Sequence, residues 1–97
     1  MSNITLVKLY GKFVDMTNTP IAGEPVFIRL RPVPQTIEDR TIIKDLYSII
    51  TDEEGYFEVE LIGGINVVVS MPRASFQVSG VLPFMGTLDV VELGRQP

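Results

Sequence analysis

Cysteine, histidine and tryptophan are all absent from the 97 residues. Without cysteine there is no disulfide framework and no thiolate metal site. Without histidine the commonest proton shuttle and the commonest metal ligand are missing as well. Chemistry would have to rest on carboxylates, lysine, tyrosine and serine, and no glycine-rich phosphate loop, nucleophile elbow or P-loop spacing organises them. No cofactor, no metal and no enzymatic activity are expected. Long apolar runs are lacking too: no stretch approaches the ~20 residues of a membrane span. The segment "MSNITLVKLYGK" has neither a basic region ahead of an apolar run nor a small-residue cleavage site. Neither membrane association nor a signal peptide is expected.

Positive charge is scarce: Lys and Arg number 8 against 12 Asp and Glu, a net charge of −4. The imbalance is local. Residues 1–31 carry Lys8, Lys12, Arg29 and Arg31 against Asp15 and Glu24, whereas residues 38–60 carry eight carboxylates against Arg40 and Lys44. That acidic stretch repels phosphate and offers no counterion-release route, so no nucleic-acid partner is expected.

What is there is an ordinary globular composition, 45% hydrophobic and 21% charged, in a chain long enough for one domain, 1–97, with one modest core. Helix signals are nearly missing. Prolines at 20, 25, 32, 34, 72, 83 and 97 punctuate runs rich in β-branched and aromatic residues. "ITLVKLYGKFVD" alternates Val7, Leu9, Gly11 and Phe13 with Lys8, Tyr10 and Lys12, and Gly11 marks a bulge or a close approach by another backbone. "VFIRLR" directs Val26, Ile28 and Leu30 inward and leaves Phe27 on a basic outer face. "DLYSIIT" and "YFEVELI" flank the turn "DEEG", which predicts a hairpin with Phe57, Val59 and Leu61 on one side and Tyr56, Glu58 and Glu60 on the other. "INVVVSM" supplies Val67 and Val69. Val26, Ile28, Phe57, Val59, Val67 and Val69 are expected to share one core.

Residues 32–44, "PVPQTIEDRTIIK", form the least regular part, a long loop with a short edge strand at "RTIIK" at most. A strand at 75–79, a turn centred on Pro83, a final strand near 87–93 and a frayed tail at 94–97 complete the chain. About seven short strands with turns every 8–12 residues predict an all-β fold, an antiparallel Greek-key β-sandwich.

Three segments then stand out together: Gly11, Val14 and Asp15, with one residue of irregularity; Pro20, Ile21, Gly23 and Val26; and Thr51, Asp52, Gly55 and Phe57. Over residues 6–72 their order resembles the carboxypeptidase regulatory-like, or transthyretin-like, β-sandwich superfamily, which typically shows a G-x-V-x-D start, a P-[IL]-x-G-x-x-V segment and a T-[DN]-x-x-G-x-[FY] hairpin. These motifs are fold markers and carry no activity. Asp52 is expected to accept backbone N–H bonds across its turn and Gly55 to take the left-handed position. Asp52, Glu53 and Glu54 alone fall short of the 6–8 oxygens that calcium takes. The resemblance also brings in hydroxyisourate hydrolases and intradiol dioxygenases, but both depend on histidines that are absent here. Glu58 and Glu60 lie on one strand face in the manner of a carboxylate dyad, an arrangement that is equally ordinary surface charge.

Domains of this kind usually belong to larger extracellular proteins, whereas this sequence shows no export signal. Bacteriophage virion components, assembled in the host cytoplasm, reconcile the two, and "VVVSMPRASFQVSGVLP" resembles the end of such domains in phage tail and fibre proteins. The resemblance implies a non-enzymatic structural or adaptor protein of a virion, in contact with other virion proteins and with copies of itself as a homo-oligomer. The alternative is a carbohydrate- or peptide-binding module. The segment around Phe76, Val81, Leu82, Phe84 and Met85, broken by Gly80, Pro83 and Gly86, is expected to expose apolar surface. Phe76, Leu82, Phe84 and Met85 are the candidate partner contacts, supported by the 32–44 loop.

Overall fold

The computed structural model describes residues 5–31, 33–37, 39–43 and 46–93. The predicted frayed tail at 94–97 and positions 32, 38 and 44 of the predicted loop lie outside the described residues.

The chain is an all-β sandwich. Its strands are β1 (Leu6–Lys12), β2 (Pro25–Leu30), β3 (Gln35–Ile37), β4 (Arg40–Ile42), β5 (Leu46–Ile50), β6 (Tyr56–Ile62), β7 (Asn66–Met71), β8 (Phe76–Val81) and β9 (Thr87–Asp89), and one helical turn, α1 (Val90–Leu93), follows the last. One sheet runs β6-β1-β9, the other β5-β2-β7-β8, and β3 with β4 makes a separate ribbon. The chain changes sheets after β1, β5, β6 and β8, so strands adjacent in sequence mostly face one another across the core.

Alternation places the core. Val7, Leu9, Val26, Ile28, Phe57, Val59, Val67 and Val69 are buried together, so the expected six-residue core stands in the expected register. Met71, Leu82, Val90 and Leu93 extend the same cluster. Gly11 marks neither a bulge nor the approach of another backbone: the β1–β6 ladder runs unbroken through Gly11 opposite Phe57, and side chains are what come close to it. A Cβ on Gly11 would stand 2.7 Å from Val90 Cγ1 and 2.8 Å from the Phe57 ring.

Several expectations need correction. The stretch around "DEEG" is no hairpin, since β5 pairs with β2 and β6 pairs with β1, each antiparallel. Both flanking strands carry an apolar face, and those faces meet across the sandwich where edge-to-edge pairing was predicted. A turn between two alternating strands has the same local sequence in either case. Residues 32–44 contain the antiparallel ribbon, with Gln35 opposite Ile42. Ile37 and Ile42 pack the ribbon against the core, and the Gln35 side chain ties it to β7: its Nε2 donates to the Asn66 carbonyl at 2.7 Å, and its Oε1 accepts the Asn66 N–H at 2.8 Å. The predicted strand at 87–93 stops at Asp89, whose carboxylate accepts the Val91 N–H at 3.1 Å and starts the helical turn that buries Val90 and Leu93. β9 pairs with β1 in parallel, so the fold, with nine strands among the described residues, is mixed.

Leu82, expected at the surface, is 1% exposed. Its backbone N–H donates to the Ile65 carbonyl and its carbonyl accepts the Gly64 N–H, which draws the side chain into the core. Phe76 and Phe27 are half-buried.

Candidate functional site

The three motif segments converge at one end of the sandwich, which we term the corner. Phe13 donates its N–H to the Gly55 carbonyl and accepts the Ile21 N–H, both at 2.9 Å. Thr51, buried, donates its hydroxyl to the Ile21 carbonyl at 2.8 Å and accepts the Glu24 N–H at 3.0 Å. The Thr51 backbone adds two further bonds, to the Glu24 carbonyl and from the Gly23 N–H. Gly55 has φ +77°, and a side chain there would run into the Phe13 carbonyl oxygen.

Each motif acid closes its own turn. Asp52 Oδ1 accepts the N–H groups of Glu54 and Tyr56 at 2.8 and 3.0 Å. Asp15 Oδ1 accepts those of Thr17 and Thr19 and the Thr17 hydroxyl at 2.9, 3.0 and 2.7 Å. The Thr17 hydroxyl first, then the two backbone donors, hold the Asp15 carboxyl below its ordinary range. These carboxylates are engaged in turn construction, and among the described residues no cluster of three acids is placed to hold a metal ion.

The predicted contact residues do not form one patch. Phe76 lies at the corner, with its ring edge-on to Phe13 at 5.1 Å and Phe13 in turn stacked on Phe57. Phe84 and Met85, each 70% exposed, lie at the opposite end. There the chain passes over the Gly63–Gly64 turn so closely that a Cβ on Gly63 would be 2.7 Å from the Pro83 and Phe84 carbonyls. Other exposed apolar side chains share that far end. Leu6 pairs opposite Ile62, Val81 pairs opposite Asn66, and Val33 and Ile43 flank the ribbon that Gln35 fastens to Asn66. Leu6, Val33, Ile43 and Val81 thus lie toward the same end as Phe84 and Met85, while Val14, Met16 and Ile50 are exposed toward the corner.

The two sides of the sandwich differ as well. α1 packs between β8 and β1 and closes one side. On the other side β5 and β6, the outer strands of opposite sheets, leave a cleft. Its inner part is an apolar recess of about 150 Å³ among Ile28, Leu30, Ile42, Tyr47, Leu61 and Ile65. Its mouth is an open recess of about 420 Å³ lined by Lys8, Tyr47, Glu58, Val59 and Glu60. Tyr47 belongs to both and is 45% exposed. Lys8 Nζ reaches Glu58 Oε2 at 3.2 Å, and the Tyr56 hydroxyl donates to the same oxygen at 3.1 Å. The bond and charge of Glu58 raise the Lys8 pKa.

No protein family matches the chain in sequence, and no curated protein matches it. The site therefore stands on its own geometry. Tyr47 and Lys8 were missed by sequence reasoning because the cleft forms only when β5 and β6 part into different sheets. Alternation within either strand carries no trace of that.

Proposed function

We propose that this chain is a non-enzymatic structural or adaptor protein of a bacteriophage particle, built on a carboxypeptidase regulatory-like or transthyretin-like sandwich and acting through protein–protein contacts. The observation that carries this reading is the far end of the sandwich, where Phe84 and Met85 stand 70% exposed amid other exposed apolar side chains. An isolated exposed apolar residue is normal, whereas several at one end mark a surface that another protein covers. The hydrogen-bonded corner supports the family part of the reading, because Asp15, Ile21, Gly23, Thr51, Asp52 and Gly55 of the motifs all bond there. The resemblance of "VVVSMPRASFQVSGVLP" to the end of phage tail and fibre domains supplies the setting. Partners are other virion proteins and copies of this chain.

The test is a double substitution, Phe84→Ser with Met85→Ser, followed by sedimentation and thermal melting. Loss of self-association or particle incorporation at an unchanged melting temperature is expected. A wild-type chain that stays monomeric and fails to sediment with particles overturns the reading, as does a set of metabolic genes on either side of its reading frame. The cleft between β5 and β6 favours one version of the alternative, a peptide-binding module.

A further inference from the structure

Among the described residues β5 pairs with β2 alone, and its other edge is open. The pairing alternates. The Thr51 N–H bonds the Glu24 carbonyl at 3.0 Å, so the Glu24–Thr51 pair is a bonded one. Bonded and non-bonded pairs then succeed each other along the ladder, and Pro25, which has no N–H to give, stands opposite Ile50 in a non-bonded pair. By the same alternation Ser48 opposite Phe27 and Leu46 opposite Arg29 are non-bonded. The backbone N–H and C=O groups of Leu46, Ser48 and Ile50 therefore turn toward the open edge.

Outer strands usually carry lysine, proline or a bulge that blocks further pairing. β5, "LYSII", has none of these. Beside its edge lies the cleft, apolar inside and charged at the mouth. Among the described residues the charge there has one sign in excess: Lys8 stands directly opposite Glu60 in the β1–β6 ladder, yet its ammonium bonds Glu58. Two carboxylates share one cation.

We propose that the open edge of β5 is a docking site for an extended peptide segment of another protein, which adds as a strand, places an apolar side chain in the inner recess and directs a Lys or Arg to Glu60. Backbone pairing supplies the affinity, and the recess and Glu60 supply the specificity. The two side chains would stand two residues apart, on the same face of the added strand. The stem of the basic residue lies along Val59 and Tyr47 while its head reaches Glu60 at the mouth. Charge decides against a second copy as the occupant. Among the described residues, β5 paired with itself around Ser48 brings no positive group to the edge, so none of them compensates Glu60 in a chain of net charge −4. This inference deepens the proposed role in protein–protein contact, and it concerns the side of the sandwich, away from Phe84 and Met85.

The probe is an end-capped peptide that alternates threonine with leucine, lysine and leucine, labelled for fluorescence anisotropy. Binding to the full chain is expected, weakened roughly tenfold when glutamate replaces the lysine and lost when the peptide's alternate amides are N-methylated. Ser48→Pro removes only an outward N–H, which an edge strand tolerates, so it is expected to melt as wild type and to lose the peptide. Glu60→Lys serves as an independent reading, because it should reverse the preference between the lysine and glutamate peptides. Equal affinity for the N-methylated peptide, no reversal by Glu60→Lys, or a β5-to-β5 dimer in solution each overturns the proposal. Peptide binding with no effect of Phe84→Ser and Met85→Ser on assembly upholds the cleft and removes the far-end reading. The converse result removes the cleft alone.

Discussion

Gly55 sits at φ +77° with the Phe13 carbonyl where a side chain would begin. Gly55→Val is therefore expected to cost at least about 1 kcal/mol from backbone conformation alone, with the collision added. Urea unfolding measures it, and equal stability of the two proteins would refute the assignment. The positive φ was legible from the sequence because the turn chemistry is local. The Phe13 contact was not, since it depends on a segment some forty residues away. Thr51 makes the same point. Thr51→Val keeps the shape but leaves the Ile21 carbonyl and Glu24 N–H without their hydroxyl partner, at an expected cost of about 1–3 kcal/mol. Asp15 ties stability to pH. Its folded pKa lies below the ordinary 3.8, so its contribution is present in full above the unfolded value and is lost as pH falls through the folded one. NMR titration of the Asp15 carboxyl should show the depressed midpoint, and Asp15→Asn should flatten this part of the acid-side loss.

Elements carry the larger surprises. Strand alternation placed Val7, Leu9, Val26, Ile28, Phe57 and Val67 on their buried faces, because period-2 patterning reports which side of a strand is wet. It does not report which strand lies alongside, and so β5 and β6 were predicted as partners when they belong to opposite sheets. The ribbon of β3 and β4 was hidden for a different reason. Besides the packing of Ile37 and Ile42 on the core, it is tied down by one polar side chain, Gln35, and such a bond has no periodic signature. Gln35→Ala removes both bonds to the Asn66 peptide. Amide exchange across β3 and β4 is expected to accelerate while the exchange of β7 residues 67–69 holds, and the global cost should be about 1 kcal/mol. Uniform acceleration of both regions would show the ribbon to be part of the core.

At the scale of the whole molecule, the segment from Phe76 to Gly86 has more than one allegiance. Leu82 belongs to the core, Phe76 to the aromatic group at the corner, and Phe84 with Met85 to the far surface. Composition alone marked the segment as too irregular to bury everything. Which members stay outside was decided by the Gly63–Gly64 turn beneath it. Leu82→Ala is expected to cost about 2–5 kcal/mol and Phe84→Ala less than about 1 kcal/mol, both by chemical denaturation. Similar losses from the two would mean that the far end is interior in solution.

The parallel pairing of β9 with β1 has a consequence in time. Lys8 and Thr87 are neighbours in the sheet although nearly the entire domain separates them along the chain. During translation β1 emerges first and must wait for β9, and until then the inner face around Gly11 lacks Val90 and Leu93. A nascent chain stalled with Gly86 as its last emerged residue is expected to remain open to protease. One stalled with residue 93 clear of the ribosomal tunnel should become resistant in a single step.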